Sequence, residues 1–343
     1  MLTTILSGGL IGLIFGFILQ RTRFCLTGGF RDMYIARNNT LFYAFLIAIT
    51  VESIGVLSLI KLGIIGNPYE EFSVLGAIVG SYLFGIGIVL AGGCATGTWY
   101  RAGEGLLGSW VALFFYMTSA AAMKSGFLVP LNQLIAKRWV INDDLAGQLG
   151  IPVWYLLVFL VAITSFIVIR ELRKPRRQIA TLPSKYKGVR HYLFEKTYHK
   201  YFAGFLIGLV ALIAWPASQL TGRVGGLGIT TPSAHLISYI ITGDSKQLGW
   251  GVFLVLGIFL GSFLAAKGSR EFRWRLPDLS TIGKSTLGGI FMGIGASWAG
   301  GCTIGNGLTA TAIFSSKGWI ALPVTILGVW TASYIIFVKP NKK

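Results

Sequence analysis

Nine apolar runs separated by short polar segments dominate this chain of 343 residues. Most approach the ~20 residues that a helix needs to cross about 30 Å of hydrocarbon, and a few are shorter. With 54% hydrophobic and 12% charged residues, the chain has more apolar surface than one soluble core would bury. It is therefore predicted to be an all-α polytopic membrane protein with about nine transmembrane helices. The runs cover 2–19, 41–60, 74–91, 106–123, 153–169, 202–220, 250–266, 287–299 and 319–338.

The charged residues between the runs predict the orientation of the chain. Its net charge is +18, and the basic residues concentrate in 170–201 and in three other segments that alternate with nearly balanced ones. The positive-inside rule assigns basic segments to the cytoplasm, so we expect the N-terminus outside and the C-terminus inside. The first run lacks a basic n-region and is interpreted as a span rather than a cleaved signal. Besides setting topology, 170–201 either attracts anionic membrane lipid or docks a partner protein, and no nucleic-acid motif accompanies the charge.

The tetrapeptide Ala-Gly-Gly-Cys occurs at 91–94 and again at 299–302. Each copy ends a short apolar run, and the predicted topology delivers the two copies to opposite sides. The chain is thus predicted to contain two inverted repeats with interrupted helices, a recurrent plan of transport proteins. The predicted segments are a first repeat at 1–123, an outer loop and joining span at 124–169, a basic cytoplasmic linker at 170–201, an inverted second repeat at 202–338 and a cytoplasmic tail at 339–343.

The backbone at these two tetrapeptides suggests a site that binds anions. Glycines permit a sharp bend, and the residues after each cysteine can open a short helix whose free N–H groups attract anions. Irregular backbone at membrane depth is tolerated only where it is buried or lines a cavity. Two such loops are expected to meet and form an anion-binding constriction. A single copy of the motif would instead suggest close helix packing around a buried thiol. The predicted site residues are Cys94, Gly93, Thr96, Gly97, Cys302, Gly301, Thr303 and Gly305.

Metal and cofactor sites are not expected. The chain has no Cys-x-x-Cys, and its three histidines, His191, His199 and His235, lie in the basic linker or a loop, so zinc and iron-sulfur sites lack ligands. A disulfide between two of the three cysteines stays open, although an odd count argues against a structural framework. The thiols are therefore expected to act as weak donors or as nucleophiles.

Three cysteine motifs in this order and spacing resemble the YeeE/YedE family of bacterial inner-membrane proteins, whose characterised members take up thiosulfate. The motifs are Arg23-Phe24-Cys25 followed by Gly28 and Arg31-Asp32, the segment 91–98 and the segment 299–305. The resemblance covers essentially the whole chain. It implies that Cys25, Cys94 and Cys302 line a central pathway and pass the anion along by S–H···S contacts. It further implies an hourglass of helix-loop-helix elements, an inner-membrane location and a separate small cytoplasmic sulfur-carrier protein of the SirA/TusA type.

The sequence therefore predicts a thiosulfate transporter with Cys94 at the constriction and with Cys302 and Cys25 before and after it. Two alternatives stay open: a membrane sulfurtransferase that forms a persulfide on Cys94, and a non-transporting anchor for a soluble sulfur enzyme. A related sulfur or selenium anion would suit the same donors.

Glu52 lies inside the second apolar run, where an ionisable side chain is costly and marks a functional hypothesis. It is expected either to serve proton coupling or gating, or to form a structural ion pair with Lys124 or Arg101. Trp99 and Tyr100, together with other aromatic residues at span ends, are interpreted as interfacial anchors.

Overall fold

The computed structural model describes residues 1–173, 188, 190–196 and 198–340, so half of the basic linker predicted at 170–201 lies outside the described residues. The first part of the chain forms α1 (Leu2–Thr22), α2 (Leu26–Ile35), α3 (Thr40–Lys61), α4 (Val74–Leu90), α5 (Ala95–Gly103), α6 (Leu107–Ser125), α7 (Val129–Ala136), α8 (Leu145–Leu149) and α9 (Val153–Leu172). The second part forms α10 (Lys200–Gln219), α11 (Thr230–Thr242), α12 (Trp250–Gly268), α13 (Leu279–Trp298) and α14 (Ser316–Ser333).

The remaining regular segments are short. A two-stranded antiparallel sheet pairs β1 (Glu71–Ser73) with β2 (Val140–Asn142), with Glu71 opposite Asn142. Single π-helical turns cover His191–Glu195, Gly305–Ala310 and Tyr334–Val338, and a 3₁₀ turn covers Ser245–Gln247. Among the described residues, helices therefore make up nearly all of the regular structure.

Seven helical segments in the described part of the chain are long and apolar enough to cross a membrane, or eight if the bent pair α6–α7 counts as one span. This confirms an all-α polytopic membrane protein. Two of the seven, Leu2–Ile35 and Val74–Gly103, join a long helix to the shorter one after it. The predicted run at 287–299 belongs to α13, which begins earlier at Leu279 with a polar first turn. Because α13 is not among the segments that qualify, nine crossings stay a prediction.

Helix α1 packs along α12, and α10 packs along α3 in the same manner. At both contacts a glycine brings two backbones together: a Cβ on Gly16 would overlap the carbonyl of Ile258, and one on Gly204 would overlap the carbonyl of Ala44. In membranes, small residues permit this close approach and allow van der Waals packing to hold helices together.

The centre of the bundle is the pair α4 and α13, which again touch through glycines, including Gly80 and Gly295. Helix α14 packs on α4, and α6 packs on α13. The short helices α2 and α11 lie beside α14 and α6. Helix α9 packs mainly against α3 and is mostly exposed, as expected for a span that faces lipid.

The interpretation of Trp99 and Tyr100 as interfacial anchors is wrong. Both side chains are buried, and Nε1 of Trp99 donates a hydrogen bond to Oγ of Ser233 at 2.9 Å. The reason is that α5 turns back into the protein and packs on α12 and α6, so its aromatic residues meet protein rather than the membrane boundary.

Candidate functional site

The two Ala-Gly-Gly-Cys segments adopt nearly the same backbone. Helix α4 ends before Ala91 and α13 ends before Ala299, and the next residues, Gly92 and Gly300, have φ of 69° and 68°. This left-handed conformation is costly for a side chain with a Cβ and suits glycine. The duplicated sequence therefore ends two helices with the same turn, as its first glycine predicts.

Each turn delivers a cysteine to the start of a new helical segment. Cys94 is the N-cap of α5: its Sγ accepts from the Gly97 N–H at 3.4 Å, and its carbonyl accepts from the Thr98 N–H at 2.8 Å. The carbonyl of Cys302 accepts from the Asn306 N–H at the same distance, 2.8 Å, at the start of the π-helical turn Gly305–Ala310. The predicted helix start is thus confirmed after Cys94, whereas the second copy forms a wider turn.

Cys25 occupies a third site of this kind. Helix α1 ends at Arg23, whose φ is 48°, and Cys25 is the N-cap of α2, with its carbonyl accepting from the Gly29 N–H at 2.9 Å. The first-turn N–H groups of α2 and α5 have no acceptor within their own helices. All three thiols are therefore held at breaks between helices.

The thiols are free, buried and close to one another. A Cβ built on Gly97 would lie 3.4 Å from Sγ of Cys94 and 3.9 Å from Sγ of Cys25, so both sulfurs approach the same glycine. Cys94 also lies within electrostatic range of Cys302. The described structure thus brings the three predicted cysteines together, and Gly97 lies between two of them.

A cavity of about 360 Å³ reaches Cys302. Its wall contains the glycine-rich loop 224–228, together with Gly301, Gly305 and Asn306. Two cations, Arg223 and Lys317, and two acids, Glu70 and Asp143, also line it. Lys317 is neutralised in part by Asp143, whose Oδ2 lies 3.7 Å from its Nζ. Burial raises the pKa of the Asp143 carboxyl, although Lys317 and hydrogen bonds from Ser315 and the Lys317 N–H act in the opposite direction.

Arg223 is the cation of this cavity that has no carboxylate partner among the described residues. Its Nη1 donates to the carbonyl of Gly226 at 3.0 Å, and its guanidinium lies 5.5 Å from the centre of the Trp250 ring. Arg223 was not among the site residues predicted from the sequence. Its position in the glycine-rich turn after α10 was the available signal.

We call the loop at 91–94 the first cradle and the loop at 299–302 the second cradle. A second cavity, of about 250 Å³, lies at the first cradle. It is lined by Gly92 and Arg101, by Gly108 and Ser109 near the start of α6, and by residues of the segment before α13, Arg275 among them. Arg101 lies within electrostatic range of Cys25 and Cys94. One cavity therefore contains Cys302, and the other contains Arg101 and Gly92, two residues before Cys94.

Polar side chains fix the two cradle loops. Nη1 of Arg101 donates to the carbonyl of Gly92. Nδ2 of Asn306 donates to the carbonyls of Ala299 and Gly301, at 2.8 and 3.3 Å. Sequence reasoning missed both anchors, although each follows its cysteine by a few residues.

Three predicted glycines differ in the space around them. A Cβ on Gly301 would overlap the Asn306 amide, and one on Gly93 would lie 3.4 Å from Nη1 of Arg101. Around Gly305 there is open space. The two predicted threonines, Thr96 and Thr303, are buried, and neither hydroxyl has a hydrogen-bond partner in the described structure.

Glu52 is completely buried, but its partner is not a cation. Oε1 accepts from Nε1 of Trp215 at 2.9 Å, and Oε2 has no partner among the described residues. Lys124 instead donates to Thr231 and Arg101 to the cradle, so the expected ion pair with either residue is wrong. Because Trp215 also lines the first cavity, Glu52 lies directly behind that wall.

The fold and this geometry define a class: a multi-pass α-helical membrane protein whose broken helices meet at buried thiols. Residues 21–331 of the chain match the model of a protein family described as "Sulphur transport" (Sulf_transp). The chain belongs to this sulphur transport family, and the resemblance to YeeE/YedE proteins is confirmed. It is a transporter rather than an enzyme.

Relatives match over the whole chain. The chain is 54% identical to the thiosulfate transporter TsuA of Escherichia coli (strain K12), over 100% of this chain and 97% of that protein. It is 33% identical to the thiosulfate transporter TsuA of Spirochaeta thermophila, over 96% of this chain and 98% of that protein. The probable transporter YedE of Escherichia coli (strain K12) is 42% identical over 29% of this chain and 25% of its own length.

Proposed function

We propose that this protein takes up thiosulfate through a central pathway that runs from the Cys302 cavity, past Cys94 and Cys25, to the Arg101 cavity. The observation that carries the proposal is the cluster of three free, buried thiols with a cavity on each side. The names of the two full-length relatives support thiosulfate as the substrate.

The donors in the cluster suit this ion. Thiosulfate is a dianion with a soft terminal sulfur, to which a protonated thiol can donate a weak hydrogen bond. Its oxygens can accept from the free N–H groups at the starts of α2 and α5, where the helix dipole also favours an anion. Gly301 and Gly305 lie on the wall of the Cys302 cavity. Conduction benefits from contacts that are individually weak, because the ion must also leave each site.

We also propose that 1–123 and 202–338 are inverted repeats joined by α9. The support is the way the helices pack. We match α1 with α10, α3 with α12, α4 with α13 and α6 with α14. Each major contact among these eight helices then corresponds to an observed contact between their counterparts. The pair α1–α12 becomes α10–α3, and α6–α13 becomes α14–α4. A site at the interface of the halves agrees with the general plan of such transporters.

The proposed orientation has the N-terminus outside, the C-terminus in the cytoplasm and the protein in the bacterial inner membrane. Its basis is the positive-inside rule applied to the charged segments. The Cys302 cavity then opens outward, and thiosulfate meets Cys302 first. We propose a separate SirA/TusA-type sulfur carrier as the cytoplasmic partner, on the basis of the family resemblance alone.

The test is uptake of thiosulfate labelled in its terminal sulfur by cells that lack other sulfate and thiosulfate importers. We expect uptake by the intact protein and its loss in Cys94→Ala at matched membrane expression. Thr98→Val is the control, because Thr98 is equally buried but its hydroxyl is bonded to the Ala95 carbonyl. No uptake by the intact protein, or normal uptake by Cys94→Ala, would overturn the proposal.

Mass spectrometry of the protein after turnover separates conduction from sulfur transfer. Conduction leaves the mass of Cys94 unchanged. A persulfide on Cys94 with release of sulfite would contradict a non-covalent pathway.

A further inference from the structure

Three threonine hydroxyls near the thiols lack hydrogen-bond partners. Thr27, Thr96 and Thr303 are at most 4% exposed, and the Oγ1 atom of each is buried without a donor or acceptor in the described structure. A buried hydroxyl that forgoes its hydrogen bonds costs free energy, so most such groups in native proteins are paired.

Their positions coincide with the cysteines. Thr27 and Thr96 each follow a cysteine by two residues, in the first turns of α2 and α5. Thr303 directly follows Cys302. Each of the three cysteines in this chain therefore has an unpaired hydroxyl within two residues.

Threonines close by in the same elements are paired, so the region does not simply lack acceptors. Oγ1 of Thr98 donates to the Ala95 carbonyl at 2.7 Å. Oγ1 of Thr309 donates to Leu227 at 3.0 Å, and Oγ1 of Thr311 donates to Asn306 at 2.9 Å. Among the described residues, the buried threonine hydroxyls without a partner are these three, next to the thiols, and the other buried hydroxyl without one is that of Ser333 in α14.

We propose that Thr27, Thr96 and Thr303 bind the oxygens of the transported ion, so that each cysteine and its threonine form one station with two different donors. The inference rests on the proposed function and deepens it. The thiol meets the soft terminal sulfur, and the hydroxyl meets an oxygen at the other end of the ion. A station of this composition recognises small anions that carry both a sulfur end and oxygens.

The chemistry of threonine suits a pathway. A hydroxyl is neutral, so it can donate to a dianion without holding it as tightly as a lysine or arginine would. It is also small, and its burial keeps it away from competing water. Sulfate has no soft terminal sulfur to match the thiol, which gives the stations a means of preferring thiosulfate.

The experiment measures the apparent KM for labelled thiosulfate uptake in Thr27→Val, Thr96→Val and Thr303→Val. Valine keeps the shape and removes the donor. We expect KM to rise about tenfold in each variant, the effect of losing one hydrogen bond to a charged group. Serine at the same positions restores the hydroxyl and should bring KM to within about twofold of the intact protein. Thr98→Val is the matched control and should leave KM unchanged.

The outcomes separate this inference from the proposed function. Normal KM in all three valine variants, with uptake still lost in Cys94→Ala, would overturn the inference alone and would indicate that water satisfies the hydroxyls. A raised KM that serine does not restore would also overturn it, since the methyl group would then be responsible. Where valine lowers the amount of protein in the membrane, alanine replaces it as the test. No uptake by the intact protein would overturn the proposed function and this inference together.

Discussion

Gly97 lies beside two of the three sulfurs, those of Cys94 and Cys25. A methyl group on this residue would lie 3.4 Å from Sγ of Cys94 and 3.9 Å from Sγ of Cys25, both ordinary contact distances. We therefore expect Gly97→Ala to fold and reach the membrane. The methyl would occupy space beside the thiols, and an overpacking cost of about 1–3 kcal/mol to the passing ion corresponds to uptake that is slower by about 5- to 150-fold.

Gly305→Ala is the comparison, because Gly305 follows Cys302 by the same three residues but has open space around it. Its uptake rate should stay near that of the intact protein. Equal rates for the two alanine variants would show that the space at Gly97 is not used by the ion.

Arg223 supplies a positive charge to the Cys302 cavity without a carboxylate beside it in the described structure. We expect Arg223→Gln to raise the KM for thiosulfate about tenfold at low salt, because the cavity then attracts the dianion less strongly. The difference should shrink as ionic strength rises, since salt screens the attraction. Uptake kinetics at two salt concentrations check this, with Arg223→Lys expected to keep most of the effect. A KM shift independent of salt would mean that Arg223 acts through its contacts with the loop rather than through its charge.

At the scale of elements, each break between helices needs an anchor, and Asn306 is the anchor of the second cradle. Its amide nitrogen donates to the carbonyls of Ala299 and Gly301. Asn306→Asp removes that donor and turns a carboxylate toward both carbonyl oxygens, at a cost of about 1–3 kcal/mol. We expect lower thermal stability of the purified protein and little uptake.

The control for this change is Asn67→Asp. The side-chain oxygen of Asn67 accepts from the Tyr69 N–H at 3.0 Å, a bond that a carboxylate keeps. Its stability and uptake should match those of the intact protein. If Asn306→Asp behaves in the same way, the cradle does not depend on its anchor.

The sequence predicted the spans and the cradles because both are local signals. Apolar runs reveal helices through burial in lipid, and the two Gly-Gly pairs reveal a left-handed turn through glycine alone. Contacts between distant segments, by contrast, depend on where the chain returns. Trp99 meets Ser233, and Glu52 meets Trp215, across more than a hundred residues, so neither contact has a signature near either partner.

The early start of α13 was missed because the residues before the apolar run, 279–286, are mostly polar and mostly exposed. Their local contacts include a hydrogen bond from Thr281 to the side chain of Asp278, the N-cap residue, which the apolar pattern does not reveal. The unpaired hydroxyls were equally hidden, because the lack of a partner cannot be read from residue identity. Thr27 in particular resembles any threonine in a helical first turn.

At the scale of the whole molecule, the proposed pathway makes the two cavities accessible from opposite sides of the membrane. In a chain whose only cysteine is Cys302, we expect a charged, membrane-impermeant thiol reagent to react from outside, because that thiol lines the cavity that opens outward in the proposed orientation. Thiosulfate should slow the reaction by occupying the site. Labelling of right-side-out and inverted vesicles, followed by mass spectrometry, measures the side.

Ser109→Cys in a cysteine-free chain is the counterpart, since Ser109 lines the cavity at Arg101. It should react from the cytoplasmic side only. Reaction of both positions from the same side would contradict a pathway that passes between the two cavities.

The glycine contacts between α1 and α12, and between α10 and α3, have a consequence for how this sequence can vary. Where main chains touch, no side chain is available to adjust, so a single added methyl group must move a whole helix. Most positions on α9, by contrast, face lipid, where one apolar residue serves as well as another. A library of random substitutions selected for thiosulfate-dependent growth should therefore be depleted at Gly12, Gly16, Gly204 and Gly261 and permissive along α9. Tolerance to mutation would thus follow the lines of backbone contact rather than distance from the thiols.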